Sequence, residues 1–128
     1  MRSSTRRSRE LALIVSDSFV IADWADRGTH PGRPIAGLHR HRSDDEAWWV
    51  LEGRLGFRVG EEEREVAAGE SILVERGLAH SYWNPASELA RYLLVMTPRI
   101  HRLIEALHAG DRTDWARIFE EHDSELLE

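Results

Sequence analysis

Short apolar segments separated by glycine-containing turns recur along most of this chain, and this rhythm constrains the fold more than any other feature. From residue 35 onward, a strand-like segment returns roughly every eight to twelve residues. Gly53, Gly60, Gly69 and Gly77 stand at the joints, where tight turns require backbone angles that favour glycine. The pattern is typical of an all-β sandwich or barrel of antiparallel strands.

We predict nine strands from runs of β-branched and aromatic residues and from period-two alternation. Leu55, Phe57 and Val59, for example, alternate with smaller or charged residues, which indicates a strand with one buried face. The predicted strands cover residues 11–15, 19–24, 35–42, 47–52, 55–59, 64–66, 71–75, 79–83 and 90–97.

The hydrophobic period changes after Pro98 and becomes helical. One amphipathic helix is predicted to end at Gly110, and a second to run from Trp115 through His122 to Leu126, with Asp111 or Thr113 as its N-cap. We therefore divide the chain into a flexible N-terminal tail (1–10), a β-barrel (11–98) and C-terminal helices (99–128) that pack on the barrel or on a second subunit.

Composition excludes several functional classes. The chain has no cysteine, which rules out disulfides and thiolate zinc sites, and all 17 basic residues are arginine, which rules out Schiff-base chemistry. The net charge of −6 argues against nucleic acid as a partner. No apolar run approaches the roughly 20 residues needed to cross a bilayer, and no export signal is visible, so we expect no membrane association and a cytoplasmic location.

A cluster of histidines and one acid carries the strongest chemical signal. His39 and His41 point to one face of a predicted strand because side chains alternate, Glu46 opens the next strand, and His80 begins a later one. Three imidazoles and a carboxylate suit iron, manganese, nickel, copper or zinc. The alternative is that these groups are polar residues at a barrel mouth that hold no metal.

The same residues resemble the two motifs of small single-domain cupins, including quercetinase-like members. The positions that match the first motif are His39, His41, Glu46 and Gly53, and those that match the second are Gly69, Gly77, His80 and Asn84. Arg33 and Glu75 depart from the motifs at turn positions. The resemblance implies a double-stranded β-helix (jelly roll) and one divalent transition metal held by His39, His41, Glu46 and His80.

Two further acids, Asp44 and Asp45, stand close to the proposed carboxylate ligand. Glu46 has the better claim because it directly precedes the apolar strand that begins at Ala47.

Strand parity also predicts the residues of a substrate pocket. If Glu46 and His80 point inward, alternate residues on the same strands follow, and neighbouring strands supply the opposite wall. The predicted pocket residues are Trp48, Phe57, Tyr82, Asn84 and Tyr92, with Leu93 as the alternative to Tyr92. Tyr82 and Glu46 are the candidate catalytic groups, because a phenol or a carboxylate beside a metal can move a proton.

Three functions are compatible with these residues. The first is a metal-dependent dioxygenase acting on a small organic molecule, and the second is a metal-dependent isomerase, epimerase or cyclase. The third is a module that binds a small ligand or a metal without catalysis. Trp49 and Trp83 are predicted to face outward and to need cover from a helix or a second subunit, which favours a homodimer.

Overall fold

The computed structural model describes the backbone from residue 8 and the side chains from residue 13 to the end of the chain. Residues 1–7 of the predicted tail lie outside the described residues, and the first strand already begins at Ser8. The strands are β1 (Ser8–Val15), β2 (Val20–Asp26), β3 (Pro34–His41), β4 (Glu46–Glu52), β5 (Arg54–Val59), β6 (Glu62–Ala67), β7 (Ser71–Val74), β8 (His80–Trp83), β9 (Ala90–Met96) and β10 (Ser124–Leu126). The helices are α1 (Pro98–Ala109) and α2 (Trp115–Glu121), with a 3-10 turn at Arg112–Asp114 between them.

Two antiparallel five-stranded sheets face each other. Their strand orders are β1-β2-β9-β4-β7 and β10-β3-β8-β5-β6. Large side chains such as Trp48, Phe57 and Leu94 fill the space between the sheets and are almost fully buried. The predicted all-β antiparallel fold is confirmed, and each of the nine predicted strands is present.

Glycines make the tight connections between strands possible. Gly53, Gly60, Gly69 and Gly77 all have positive φ angles, as their place in the sequence predicts. Gly53 is also restricted by space, because a side chain there would collide with the carbonyl oxygen of Leu89. This turn therefore lets β4 lead directly into β5.

The C-terminal segment begins with the predicted helix. The hydroxyl of Thr97 accepts a hydrogen bond from the Ile100 amide (3.2 Å) and caps α1, while Gly110 follows its last turn. The second helix differs from the prediction, because Asp111 caps the 3-10 turn instead and α2 ends at Glu121.

The chain after α2 is a strand, and the prediction of helix at this point is wrong. Asp123 adopts a positive φ of 56°, the left-handed conformation that often ends a helix, and turns the chain back into β10. β10 pairs with β3, so that Ser124 lies opposite His41 and Leu126 opposite His39. Arg40 and Glu125 form an ion pair across the two strands (2.7 Å). A strand of three residues carries too little periodicity to be read from sequence.

The C-terminal helices do not cover the outer face of the first sheet. Trp49 is 48% exposed there, whereas Trp83 is half-buried on the second sheet, with its indole against Gly56. Within the described residues, no helix is long and apolar enough to cross a membrane.

Candidate metal centre

Four buried side chains from three strands converge on one point inside the barrel. His39 and His41 come from the end of β3, Glu46 is the first residue of β4, and His80 is the first residue of β8. His39 and His80 lie opposite each other in the register of β3 and β8. One possible ligand atom from each of the four lies within 4.8 Å of the others, so the sequence-predicted set is brought together as a group that could hold a metal ion.

The distances between these atoms fit ligands of one ion. Oε1 of Glu46 lies 3.2 Å from Nε2 of His41 and 3.3 Å from Nε2 of His80. Neighbouring ligands that each lie about 2.0–2.2 Å from a metal are about 3.0–3.4 Å apart. All three atoms are buried and make no hydrogen bond with the described residues. Unsatisfied buried polar atoms are unfavourable unless something binds them, and these atoms point to a cation.

Backbone carbonyls fix the orientation of two of the imidazoles. Nδ1 of His39 donates to the carbonyl oxygen of Gly37 (2.6 Å), and Nδ1 of His80 donates to that of Leu78 (3.0 Å). A carbonyl can only accept, so the proton must be on Nδ1 in both rings. Each Nε2 therefore presents a lone pair toward the centre, as a metal ligand must.

A serine of β10 fixes the third imidazole, and sequence reasoning did not identify it. Nδ1 of His41 lies 2.7 Å from Oγ of Ser124, and the same hydroxyl donates to the carbonyl oxygen of His122 (3.1 Å). Because the hydroxyl proton is already used, Ser124 accepts the Nδ1–H of His41. The Nε2 atom of His41 is then the free ligand position, in agreement with the other two histidines.

The electrostatics of the cluster favour the protonation states that bind metal. Burial, together with the neighbouring imidazoles of His80 and His41, lowers the pKa of His39 to about 3, so this ring is neutral near pH 7. Burial alone would raise the pKa of Glu46, but its contacts with His41 and His80 outweigh that effect and hold the pKa below its usual range. A neutral imidazole beside an ionised carboxylate is the form that ligates a divalent ion.

The two competing acids are occupied elsewhere. Both carboxylate oxygens of Asp44 bind the guanidinium of Arg99 on α1 (2.8 and 3.2 Å), which ties that helix to the barrel. Asp45 binds the side chain of Arg76 (3.0 Å). The structure therefore brings Glu46, rather than either aspartate, to the histidines.

A cavity of about 840 Å³ opens beside the metal ligands. His39, His41 and Glu46 line it, together with Trp48 and Tyr82, two of the predicted pocket residues. Most of its remaining wall comes from the C-terminal segment, residues 98–128, which sequence analysis did not assign to the pocket. The large apolar residues of the whole remaining wall are Trp24, Ile35, Leu94, Ile100, Leu103, Ile104, Leu107, Trp115, Phe119 and Leu126.

The other predicted pocket residues lie behind the cavity wall rather than on it. Phe57 is fully buried and stacks on the ring of Tyr82 (centroids 5.4 Å apart), and the Tyr92 hydroxyl lies 3.2 Å from that of Tyr82. Asn84 donates to the carbonyl oxygen of Glu88 (2.9 Å) and accepts from the amide of Ala86 (2.9 Å). Parity placed Phe57 in the interior, where it is buried, and of the alternatives Tyr92 and Leu93 it is Tyr92 that is fully buried. Parity could not show that other side chains stand between them and the open space.

A family comparison agrees with the fold. The family model described as "Cupin domain" matches residues 28–96, which contain β3 to β9 and all four candidate ligands. The chain belongs to the cupin family. The helices of this cupin, and the strand β10 that carries Ser124, lie outside the matched region.

Individual relatives support the same conclusion about the fold. A Streptomyces coelicolor protein of uncharacterised function, SCO3923, is 36% identical over 56 residues, which is 44% of this cupin and 52% of that protein. This cupin thus spans about half the length of that relative. The crystal structure of TT1209 from Thermus thermophilus has a TM-score of 0.63 at 26% identity, covering 77% of this cupin and 90% of that chain. KdgF from Halomonas sp. also has a TM-score of 0.63, over 79% of this cupin and 88% of that chain, but at 12% identity it shows the fold alone.

Proposed function

We propose that this cupin is a metal-dependent enzyme that acts on a small, largely apolar organic molecule, and that its reaction is of the dioxygenase class. The observation that carries the proposal is that three of the four candidate ligands line the same apolar cavity as Trp48 and Tyr82. A substrate held in this cavity would lie directly against the ligand set. Enclosed, mostly apolar cavities with a few convergent polar groups are typical of small-molecule sites.

The ligand set would hold one divalent transition ion through Nε2 of the three histidines and a carboxylate oxygen of Glu46. When bound, such an ion leaves coordination positions at which a substrate oxygen and dioxygen can be brought together. Buried apolar side chains, among them Trp48, Leu103 and Phe119, line the cavity beside the ligand set and would limit the access of water to the ion.

The scarcity of acid–base groups near the ligands favours this class over isomerisation or epimerisation. Moving a proton between substrate atoms requires an acid and a base within hydrogen-bond reach of the substrate. Beyond the ligands and Tyr82, the acid–base residues of the described cavity wall are Glu128 and His108. Glu128 already accepts a hydrogen bond from the Leu38 amide (2.9 Å), and the His108 ring lies against Trp24. A reaction in which an ion and a co-substrate supply the chemistry needs fewer such groups.

Tyr82 is the side chain that we propose donates a proton or a hydrogen bond to the substrate. Burial raises its pKa to about 12, so the phenol stays protonated near neutral pH and can act as a donor. Glu46 is the second candidate catalytic group, through the carboxylate oxygen that it does not use as a ligand.

Oxygen consumption tests the reaction class. The protein reconstituted with iron(II), and in parallel with manganese, nickel or copper, is expected to consume oxygen in proportion to the loss of an apolar enol or diketone, whereas the zinc-loaded protein should consume none because zinc has no redox chemistry. The His80→Ala variant, treated in the same way, should consume none. The dioxygenase assignment would be contradicted if the protein binds metal stoichiometrically and isomerises a substrate without taking up oxygen.

The Tyr82→Phe variant tests the donor role separately. We expect turnover to fall by about 10²-fold, the lower end of what a positioned general acid contributes. Metal affinity should stay unchanged, because Tyr82 is not a ligand. The matched control is Tyr92→Phe, which removes the hydroxyl that Tyr82 contacts but does not alter the cavity wall. Equal losses in both variants would indicate that the pair of tyrosines acts only in packing.

We also propose that the outer face of the first sheet is covered by a second copy of the chain. One row of the strand register crosses all five strands of this sheet and is apolar throughout: Ile14, Ile21, Val95, Ala47 and Leu73. Trp49 lies next to this row. A two-fold dimer would bury the same patch on both subunits.

Light scattering coupled to size exclusion tests the dimer. The wild-type protein is expected to elute with the mass of two chains, and Trp49→Glu with the mass of one. Arg64→Glu, an exposed change on the opposite sheet, is the control and should remain a dimer. A wild-type protein that is monomeric at high concentration would contradict the proposal.

A further inference from the structure

The cavity extends well away from the metal ligands, along the first sheet. Trp48 lies two residues beyond Glu46 on β4 and pairs with Leu94, which in turn pairs with Ala22 on β2. Trp24 lies two residues beyond Ala22 in the same direction. Trp24 is therefore four residues farther along the sheet than Glu46, which corresponds to about 13 Å. Glu46 and Trp24 both line the cavity, so it has two distinct ends.

Aromatic and basic side chains line the cavity beyond the ligand set. The rings of Trp24 and His108 contact each other edge to face (5.8 Å between centroids), and the guanidinium of Arg112 lies over the ring of Trp115 (4.9 Å). Arg33 directly precedes β3, whose opposite end carries the histidine ligands. All five residues line the cavity, and we call them the remote cluster.

The remote cluster presents hydrogen-bond donors that lack acceptors. The indole nitrogens of Trp24 and Trp115 are buried and have no hydrogen-bond partner among the described residues. Trp24 is only 8% exposed, so water has little access to it. An indole N–H can only donate, and a buried donor without an acceptor is unfavourable. These two nitrogens therefore indicate that a ligand supplies the acceptor.

The charge of the remote cluster is also unbalanced. Neither Arg33 nor Arg112 forms an ion pair with any described residue. Glu128, the acid on the cavity wall outside the ligand set, is engaged instead with the backbone amide of Leu38 (2.9 Å), at the middle of β3. Two guanidinium groups and two free N–H donors together match a carboxylate, which offers two acceptor oxygens and a negative charge.

We propose that the remote cluster binds the carboxylate of an elongated, apolar carboxylic acid whose other end reaches the metal ligands. This inference deepens the proposed function, on which it rests, by naming the substrate class. The wall between the two ends is aliphatic, with Leu94, Ile100, Leu103, Ile104 and Leu107. It suits a hydrocarbon chain or ring, and the indole nitrogen of Trp48 and the hydroxyl of Tyr82 are too few partners for the several hydroxyl groups of a sugar.

Calorimetric titration of the full-length protein with decanoate tests the proposal, with decanol and glucose phosphate as comparison ligands. The metal-free protein is titrated first, because a carboxylate could otherwise bind at the metal. Decanoate is expected to bind at least about tenfold more tightly than decanol, and Arg112→Gln and Arg33→Gln should each weaken decanoate binding by about tenfold. Arg102→Gln, an exposed change on α1 away from the cavity, is the matched control and should have no effect.

Three results would each overturn the proposal. The first is equal affinity for decanoate and decanol. The second is decanoate binding that is unchanged in both Arg112→Gln and Arg33→Gln, with both variants melting at the wild-type temperature. The third is tighter binding of glucose phosphate than of decanoate. A separate metal titration distinguishes these results from a failure of the proposed function. If metal does not bind but decanoate binds and depends on Arg112, the remote cluster stands and the metal-dependent reaction does not.

Discussion

The His80→Ala variant is expected to lose tight metal binding. His80 supplies one of four ligands, and its Nε2 lies 3.3 Å from the ligand oxygen of Glu46. Removing a ligand should weaken metal affinity by more than the roughly 10–100-fold that loss of an outer hydrogen-bond partner causes. A competition titration against a chromophoric chelator measures the dissociation constant directly.

Thermal unfolding gives a second measurement of the same change. A metal present at about 100 times its dissociation constant stabilises the wild-type protein by roughly 2.7 kcal/mol, and the melting temperature rises accordingly. His80→Ala should show no such rise. The control is His108→Ala, which alters an exposed histidine of α1 outside the ligand set and should retain the full metal-induced shift. An equal shift in both variants would show that the metal binds elsewhere or not at all.

The Ser124→Ala variant is expected to weaken metal binding by about 10–100-fold without unfolding the protein. The hydroxyl of Ser124 accepts the Nδ1–H of His41 and so fixes both the ring orientation and the tautomer of this ligand. Without it, the imidazole can place its proton on Nε2, which then cannot bind a metal. Alanine is close to serine in size, so packing around this fully buried residue should survive.

Two readouts separate this positioning role from a general effect on stability. If Ser124 positions His41, the dissociation constant for metal rises while the melting temperature of the metal-free protein changes little. If Ser124 only stabilises the C-terminal strand, the metal-free protein melts earlier and its metal affinity is unchanged. Ser43→Ala, in the exposed connection between β3 and β4, is the matched control for both measurements.

The parts of the site that could be predicted from sequence depend on local regularity. Strand alternation placed His39 and His41 on one face, and turn glycines marked where strands begin and end. The choice of Glu46 over Asp44 and Asp45 also followed from its place at the start of a strand, and the structure adds that each aspartate binds an arginine.

The parts that could not be predicted depend on contacts between segments distant in the chain. Ser124 is 83 positions from His41, and its strand is too short to have a recognisable period. The remote cluster likewise joins Arg33 and Trp24 to residues of the C-terminal segment. Parity assigned Phe57 and either Tyr92 or Leu93 to the interior but could not give their depth, since depth depends on which other side chains occupy the barrel.

The sequence alone therefore determined the class of fold and nine of the ten described strands, because these follow from short-range patterns of polarity and turn residues, and its resemblance to the two cupin motifs supplied the four metal-ligand candidates. Only the tertiary structure decided how the cavity is closed, which residues orient the ligands and what lies at the far end of the cavity. The reason is physical: β10, α1 and α2 acquire their roles by packing against strands that precede them by tens of residues. The His-x-His segment marks the metal centre, and the C-terminal segment shapes the cavity in which a substrate would meet it.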